Sequence, residues 1–474
     1  MKTKIEFICN SEKVSTEVHP GLSLLDFLRT VLALIGTKEG CREGDCGACT
    51  VLIGELDGKE IDYYSINSCL FPIGDVNGKH VVTVEGFNTD RLSIVQESFV
   101  EEGASQCGFC TPGFIVSLTG YFLSNKNYNP NDAIDSMDGN ICRCTGHSSI
   151  IRAAQKSAEI LSRNITNQFD HVSTLIKSGL IPDYFSEIPK RLRKLKQEKL
   201  SEEEKITPNF YISGGTDLFV QKWEDILKND VKLLSSNGIS STIIEENGRC
   251  VVGAAATVSD LINSVIISKY LPLLKEQLKL FGSLPIRNSA TVGGNIVNAS
   301  PIADITSILI ALNAVVHLKK ENNKRKLFLK DFYKGYKSFD LKEGELVDCV
   351  SFDCPAENSY FNFEKVSQRT YLDIASVNSS IYLETTDDII ITAHLSAGGV
   401  APIPLFLEKT SEFLNGKTIT VDNVTEAALI SQTEISPITD ARGSAEYKSL
   451  LLRQLFYAHF VTLFPDKFDV KELA

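Results

Sequence analysis

Two groups of cysteines are the residues of this sequence best suited to chemistry. In the first group, Cys41, Cys46 and Cys49 have C-x4-C-x2-C spacing, and Cys69 follows a strand-like segment. This is the ligand set of a plant-type 2Fe-2S cluster, in which two sulfide-bridged irons take four thiolates. Three glycines, Gly40, Gly44 and Gly47, predict a loop that turns with positive φ around the sulfurs and directs amide N–H groups towards them. A zinc knuckle, or unrelated free thiols, is the alternative.

The second group has C-x2-C…C-x-C spacing. Cys107 and Cys110 precede one predicted helix, and Cys142 and Cys144 precede another. A helix N-terminus favours negative charge, so it suits a thiolate or an anionic cluster. This spacing alone also fits zinc. Beside the first quartet, however, a second 2Fe-2S site is favoured, because one cluster needs an electron acceptor within tunnelling distance.

The length and the net charge of the chain limit which classes of protein it can belong to. The 474 residues predict three or four domains, and the formal net charge of −12 argues against a nucleic-acid partner. Eight of the twelve cysteines are clustered, and this indicates metal binding in a reducing compartment rather than disulfides. The sequence shows neither a signal peptide nor an apolar run long enough to cross a membrane. We therefore expect a cytoplasmic protein with no membrane partner.

The elements around the first quartet predict a small α+β domain over residues 1–85. Residues 23–34 have helical apolar spacing, while strand-like patterns cover 4–9, 14–18, 50–54, 59–64 and 80–84.

A helical domain is predicted over residues 86–165, from helical patterns at 93–102, 112–123 and 148–163. Thr111 is the expected N-cap of the second helix, with Pro112 at its first position. Beyond it, a basic run at 190–196 and the acidic Glu202–Glu204 predict a solvated linker over 166–205.

Two double-glycine loops mark the second half of the chain. Gly214 and Gly215 follow a strand-like segment, and Gly293 and Gly294 lie in a second loop. Each alone is more often a simple turn, but two such loops offer backbone N–H groups that could bind a pyrophosphate. Neither has the G-x-G-x-x-G pattern, so a dinucleotide would not lie in a doubly wound fold. These loops fall in a predicted domain over 206–365.

The last predicted domain, 366–474, combines strands and helices. Strand-like patterns cover 381–383 and 389–395, and an apolar helical pattern covers 445–464. These patterns do not indicate what chemistry the last domain performs.

The order of these motifs resembles the iron–sulfur and flavin portion of xanthine dehydrogenases, of the molybdenum hydroxylase family. The resemblance covers essentially the whole chain, and it is carried by both cysteine motifs, by Thr291–Ile296 and by Asp373–Ala375. It implies a multidomain α+β fold, with a β-grasp ferredoxin-like 2Fe-2S domain, a helical-bundle 2Fe-2S domain, a vanillyl-alcohol-oxidase-type FAD domain and a C-terminal α+β domain.

The resemblance also implies a set of FAD contacts. They are Tyr211, Ile212, Ser213, Gly214, Gly215, Thr216, Asp217, Leu218, Phe281, Thr291, Val292, Gly293, Gly294, Asn295, Asp304, Val347 and Lys365.

The family's molybdopterin domain has no counterpart in the motifs of this chain. The resemblance therefore implies the small subunit of a xanthine dehydrogenase, with the substrate site and molybdopterin on a large partner subunit. Electrons would pass through two 2Fe-2S clusters to FAD and then to NAD⁺, as hypoxanthine and xanthine are oxidised to urate. Two small and two large subunits would form a heterotetramer.

Two alternatives stay open at this point. The chain could serve another molybdenum hydroxylase, acting on an aldehyde or an N-heterocycle, or it could be a stand-alone diaphorase-like carrier. The sequence does not decide the substrate, nor whether NAD⁺ or O₂ accepts the electrons.

Overall fold

The computed structural model describes residues 2–164, 170–197, 208–236 and 238–469. The chain forms two compact units. Unit 1 comprises residues 1–237 together with 283–289, and unit 2 comprises 238–282 and 290–474.

Unit 1 begins with a five-stranded sheet in the order β2-β1-β5-β3-β4. β1 and β2 form an antiparallel hairpin, and β5 returns parallel to β1 on its other side. With the helix α1 (Leu24–Thr30) after the hairpin, this is the predicted β-grasp arrangement. The strands are β1 Thr3–Cys9, β2 Glu12–Val18, β3 Thr50–Asp57, β4 Glu60–Asn67 and β5 His80–Val82.

Strand alternation gives this sheet two apolar faces. Val51 and Ile53 are fully buried with α1, whereas Leu52 belongs to a different core, formed with the helices that follow. The helix Thr111–Ser124 approaches Leu52 closely: a Cβ on Gly120 would lie 2.5 Å from its Cδ2 atom. Because burial of such a side chain contributes about 1.5–3 kcal/mol, this face holds the helical part against the sheet.

The helical part confirms the predicted helices. Ser93 caps the first of them in a reciprocal pair with Gln96. The second begins at Thr111 with Cys110 at the cap position, so the predicted cap at Thr111 is wrong by one residue. The Thr111 hydroxyl instead lies 2.9 Å from that of Ser105. The helices are α2 Ile94–Glu101, α3 Thr111–Ser124, α4 Pro130–Asp135 and α5 Ser148–Asn164.

The described part of the stretch predicted as a solvated linker contains two helices, α6 at His171–Lys177 and α7 at Ile188–Gln197. Ile188 and Leu192 are fully buried against Ile8 of β1. Within the basic run, apolar residues at i, i+4 spacing form a buried face of the helix. The prediction of a solvated linker is therefore wrong for α7. The acidic Glu202–Glu204 lie outside the described residues.

Unit 1 ends with a small parallel pair of strands, β6 Phe210–Ile212 and β7 Val231–Leu233. Ile212, Phe219 and Leu233 pack against Leu70 in the first part of the unit. The helices of this segment are α8 Leu218–Gln221 and α9 Trp223–Lys228, and α13 (Leu284–Arg287) also belongs to unit 1.

Unit 2 contains two larger sheets, in the orders β11-β10-β14-β9-β8 and β15-β16-β17-β18. Its strands are β8 Ile243–Glu246, β9 Arg249–Gly253, β10 Val315–Lys320, β11 Asn323–Phe328, β12 Tyr333–Gly335, β13 Ser338–Phe339, β14 Leu346–Asp353, β15 Ser359–Val366, β16 Val377–Thr386, β17 Ile389–Gly398 and β18 Leu405–Phe406.

Helices pack on these sheets, and α15 is buried along its whole length. α15 packs on β16 and β17, while α18, predicted over 445–464, packs on β15 and β16. Together these elements confirm the multidomain α+β class. None of the described helices has both the length and the apolar character needed to cross a bilayer. The helices of unit 2 are α10 Val258–Asn263, α11 Val265–Tyr270, α12 Leu274–Leu278, α14 Val292–Asn298, α15 Asp304–Ala311, α16 Glu408–Leu414, α17 Val421–Gln432 and α18 Ala445–Leu463.

Candidate functional site

The fold brings the first four predicted cysteines together as two pairs. Three lie in the loop between α1 and β3, and Cys69 lies in the turn after β4. The Sγ atoms of Cys49 and Cys69 are 3.4 Å apart, and the thiols of Cys41 and Cys46 are hydrogen-bonded to each other. Two thiolates on one tetrahedral metal are separated by about 3.7 Å for bonds of about 2.3 Å, so this spacing suits shared metal ligation.

The glycines of this loop explain how the chain wraps so closely. Gly44 and Gly47 have φ of +81° and +66°, as predicted for tight left-handed turns. Gly40 differs, because its φ is not positive; a Cβ there would lie only 2.7 Å from the sulfur of Cys46. The third glycine thus leaves room for a thiol rather than allowing a turn.

Backbone N–H groups point at the sulfurs. The Glu43 N–H donates to the Cys41 sulfur at 3.3 Å, and further donations come from the backbone of Asp45 and Cys46. Donors of this kind stabilise negative charge on thiolate sulfur. The donor set therefore fits an anionic 2Fe-2S cluster in this loop.

The second quartet is assembled in the same way at the starts of α3 and α5. The sulfurs of Cys107 and Cys144 are 3.6 Å apart, and Cys110 is hydrogen-bonded to Cys142. Among the described residues, no group of three or more metal-binding side chains surrounds one point. Each iron of a 2Fe-2S cluster takes two protein thiolates, so pairs are the arrangement that such a cluster needs.

Two residues support Cys142 from the following turn. Burial raises the pKa of this thiol, but hydrogen bonds from the Thr145 N–H and hydroxyl, at 3.4 and 3.2 Å, bring the pKa below its usual value. The Cys142 N–H donates to Nε2 of His147 at 3.1 Å. Through this contact the His147 ring orients the ligand loop.

The two quartets have different surroundings. Cys49 and Cys69 are 2% and 5% exposed and pack in one core with Ile212 of β6. Cys107 and Cys144 are exposed, and the large apolar side chain of Phe109 beside them is 46% exposed. The first quartet therefore combines two buried and two half-buried thiols, whereas two thiols of the second quartet are exposed at the surface of unit 1.

The first glycine loop follows β6 in unit 1. Gly215, and not Gly214, has the positive φ of +75°. No acceptor is found among the described residues for the backbone N–H groups of Gly214, Gly215 and Thr216. Consecutive free N–H groups around a left-handed residue form a nest for an anion, so this loop fits a phosphate of FAD.

The second glycine loop, at the start of α14 in unit 2, has no such free donors. The N–H groups of Val292 and Gly293 donate to the carbonyls of Ala256 and Ala254, and that of Gly294 donates to the Thr291 hydroxyl. These pairings contradict the predicted nest of N–H groups in this loop. Contact between Thr291–Asn295 and FAD stays a prediction.

Two further predicted FAD residues are bonded to each other inside unit 2. Lys365 Nζ donates to Asp304 Oδ2 at 2.8 Å and to the Leu280 carbonyl at 2.8 Å. Asp304 Oδ1 accepts from the side chain of Asn378 at 2.6 Å. The Lys365 and Asp304 side chains are 2% and 9% exposed, so they form a buried ion pair.

Val347 and Phe281, the other two residues of unit 2 in the predicted FAD set, differ in their burial. Val347 lies in β14 opposite Leu318 and is 5% exposed. Phe281 is half-buried, one residue before Gly282.

Sequence reasoning missed two buried asparagines that hold these sites. Asn140 is 5% exposed and donates to the carbonyl of Gly47, in the first cysteine loop, at 3.0 Å. Asn378 is fully buried at Asp304. A single asparagine has no period or spacing that marks it, so only the fold could identify them.

Four family models match the chain in the order expected from its motifs. A 2Fe-2S iron–sulfur cluster binding domain matches residues 7–73, and a [2Fe-2S] binding domain matches 83–155. An FAD binding domain in molybdopterin dehydrogenase matches 192–352, and a CO dehydrogenase flavoprotein C-terminal domain matches 362–463.

Curated relatives are similar over nearly the whole chain. Xanthine dehydrogenase 1 of Arabidopsis thaliana is 31% identical over 521 residues, which cover 93% of this chain and 38% of that protein. Xanthine dehydrogenase of Dictyostelium discoideum is 28% identical, covering 99% of this chain and 41% of the relative. The chain thus spans about two fifths of the length of these relatives.

Solved structures resemble about half of the chain. Carbon monoxide dehydrogenase from Hydrogenophaga pseudoflava is 25% identical with a TM-score of 0.51, over 54% of this chain and 90% of that one. Quinoline 2-oxidoreductase from Pseudomonas putida 86 has a TM-score of 0.50 at 22% identity, over 54% and 88% of the two chains, and shows the fold alone. With both cysteine quartets assembled and four family models in sequence, the chain belongs to the molybdenum hydroxylase family and carries its iron–sulfur and flavin domains.

Proposed function

We propose that this chain is the electron-transfer subunit of a xanthine dehydrogenase, working with a large subunit that carries molybdopterin and the purine site. When bound, two 2Fe-2S clusters and FAD would supply the redox chemistry, taking electrons released as hypoxanthine and xanthine become urate and delivering them to NAD⁺. The chain itself supplies binding, spacing and electrostatic tuning of these groups.

The contrast between the two quartets carries this proposal. The exposed Cys107 and Cys144 suit entry of electrons from another protein, whereas the buried Cys49 and Cys69 lie beside the segment that holds the first glycine loop. A Cβ on Gly215 would be 3.0 Å from the carbonyl oxygen of Leu70, the residue after Cys69. Unit 1 thus has an outward cluster site and a cluster site adjoining the nest proposed for FAD.

The surface around the second quartet supports a protein partner. Phe109, Ile141 and Ile151 are 46%, 41% and 36% exposed, in and after the motifs that contain the thiols. Large apolar side chains exposed beside a redox site are typical of a contact with another subunit. We infer that residues 86–165 contribute to an interface with the molybdenum subunit, in a heterotetramer of two small and two large subunits.

The purine substrate is favoured by the curated relatives, because xanthine dehydrogenases match more than nine tenths of this chain. The solved structures favour a second candidate, in which the same electron-transfer role serves another molybdenum hydroxylase. One of these structures is carbon monoxide dehydrogenase, at 25% identity. A stand-alone diaphorase-like carrier is the third candidate, and we propose a cytoplasmic location for each.

One native purification tests these proposals together. The chain, tagged in its source cells, should copurify with a larger subunit that contains molybdenum, and the complex should reduce NAD⁺ with xanthine. The isolated chain should transfer electrons from NADH to an artificial acceptor but should not oxidise xanthine. Activity of the complex with an aldehyde or another heterocycle only would support the second candidate, and the absence of any partner would support the carrier.

A further inference from the structure

Two thiols that lie outside both quartets are in contact within unit 2. The Sγ atoms of Cys250 and Cys354 are 3.6 Å apart. Cys250 lies in β9, opposite Phe352 of β14, and Cys354 comes directly after β14. The Cys354 N–H donates to the Gly248 carbonyl at 2.9 Å, so the chain beyond the strand stays against the β8–β9 turn. The backbone therefore holds the two sulfurs near each other.

The surroundings do not favour a metal at this pair. Cys349, the nearest other cysteine in the sequence, lies on β14 opposite Gly253 and does not extend the pair. The ammonium group of Lys269 donates to the Tyr270 hydroxyl at 2.7 Å, and this hydroxyl is hydrogen-bonded to Cys354. The same ammonium group pairs with Glu245 at 3.1 Å, and among the described residues no third metal-binding side chain joins the two thiols.

The two thiols also differ in access. Cys354 is partly exposed, whereas Cys250 is fully buried and its burial raises the pKa of the thiol to about 12. Cys354 is thus the thiol that meets a reagent from solvent. Cys250 can react only with a sulfur that is already beside it.

We propose that Cys250 and Cys354 form a redox modification site that reacts with a small disulfide, such as glutathione disulfide, and closes to an intramolecular disulfide. The Cys354 thiolate attacks one sulfur of the reagent, forms a mixed disulfide and releases one glutathione thiolate. Cys250 Sγ then attacks Cys354 Sγ, its proton passes to the departing glutathione sulfur, and the second glutathione leaves as a thiol. Two protein thiols are oxidised, and one small disulfide is reduced to two thiols.

The geometry requires only a small movement for this step. The sulfurs must approach from 3.6 Å to the disulfide length of about 2.05 Å. The new bond would join the end of β14 to β9 and close the chain between residues 250 and 354. Because a cross-link restricts the unfolded chain, oxidation should raise the thermal unfolding midpoint of the protein.

Peptide mapping of the full chain with its cofactors tests the proposal. After incubation with glutathione disulfide, digestion without reductant should give a cross-linked peptide containing Cys250 and Cys354, two hydrogens lighter than the sum of its parts. Cys354→Ser should abolish the cross-link, and Cys250→Ser should stop the reaction at a glutathione adduct on Cys354. Cys349→Ser, as the matched control, should leave the cross-link unchanged.

Two results would overturn the proposal. One is wild-type protein that keeps a glutathione adduct on Cys354 without forming the cross-link. The other is wild-type protein in which neither cysteine reacts. The unfolding midpoint gives a second measurement: it should rise on oxidation and return with dithiothreitol in the wild type, and it should not respond in Cys354→Ser. None of these readouts depends on the proposed electron-transfer function.

Discussion

The backbone N–H of Ile141 donates a hydrogen bond of 3.1 Å to the carbonyl oxygen of Cys46. Cys46 belongs to the first quartet, and Ile141 immediately precedes Cys142 of the second. One hydrogen bond therefore joins the two cysteine loops. The two cluster sites are fixed relative to each other by backbone contact, and Asn140 adds a side-chain bond at the same place.

Replacement of Asn140 should loosen this junction. Its side chain donates to the Gly47 carbonyl at 3.0 Å and accepts from the Ser117 hydroxyl at 2.7 Å. Asn140→Ala leaves the buried Ser117 hydroxyl without its acceptor, whereas the Gly47 carbonyl keeps the N–H and hydroxyl of Thr50 as donors. We therefore expect a loss of about 1–3 kcal/mol in the free energy of unfolding, measured with urea. The exposed Asn131→Ala should change it by less than about 0.5 kcal/mol. Equal losses in both variants would contradict a structural role for Asn140.

The cysteine pairs predict separate losses of iron. The wild type should contain about four irons, and Cys69→Ser or Cys144→Ser should each remove about two of them, since each variant breaks one quartet. Cys349→Ser, which lies outside both quartets, should retain all of them. Iron and sulfide analysis with electron paramagnetic resonance measures this. Zinc in place of iron, or full iron in either cluster variant, would refute the assignment.

Cysteine spacing predicted which thiols the fold brings together, and alternation or helical period located most elements, including α18. That these thiols bind two clusters stays a prediction. Sequence reasoning failed for residues that act by contacting a partner far away in the chain. Asn140, for example, is 93 positions from Gly47. The free donors at Gly214–Thr216 and the paired donors of α14 look alike in sequence, because pairing depends on which strand ends lie nearby.

The basic segment shows a different limit. Charge runs are usually solvated, and lysines and arginines outnumber the apolar residues of α7. Three buried aliphatic side chains nevertheless decide its position, because burial stabilises a helix more than exposed charges oppose it.

Stability should depend on pH through Asp75. This side chain is 8% exposed and accepts a hydrogen bond from Ser235, and burial raises its pKa to about 6. The folded state therefore binds this proton more tightly than the unfolded chain, whose aspartate pKa is about 3.9. The contribution of Asp75 to stability should fall as pH rises between these two values and stay constant above them.

Asp75→Asn removes this dependence while keeping an oxygen acceptor for Ser235. Urea unfolding at several pH values should show the wild type losing up to roughly 3 kcal/mol relative to the variant across this interval. Asp57→Asn, at an exposed carboxylate, is the control and should follow the wild type. A constant difference between wild type and Asp75→Asn from pH 4 to pH 7 would contradict the expectation.

The buried ion pair of unit 2 predicts another asymmetry. Lys365→Met would leave the Asp304 carboxylate buried with only Asn378 as partner, so we expect a loss of about 3–5 kcal/mol in unfolding free energy. Adding Asp304→Asn should recover part of this loss because the unpaired charge is removed. The exposed Lys326→Met should have little effect. Failure of the double variant to recover would show that Lys365 acts through packing rather than charge.

The nest at the first glycine loop can be tested with two glycines of matched conformation. Gly215 and Gly179 have φ of +75° and +76°, so alanine at either position is strained by about 1–2 kcal/mol. Only at Gly215 does the added Cβ meet other atoms, 3.0 Å from the Leu70 carbonyl and from Phe219; at Gly179 nothing lies within 4 Å. Gly215→Ala should therefore displace the loop. Gly179→Ala should introduce the same backbone strain without a steric clash.

We expect Gly215→Ala to lower the ratio of FAD to iron several-fold, because the three unpaired N–H groups would no longer converge on one anion. Gly179→Ala should retain the wild-type ratio. Iron content and the cluster absorbance should be unchanged in both variants, since no cysteine is altered, and this separates loss of flavin from general unfolding. Equal FAD content in the two variants would show that the nest does not hold the flavin, and a parallel loss of iron would show that the loop supports the cluster site of Cys69 instead.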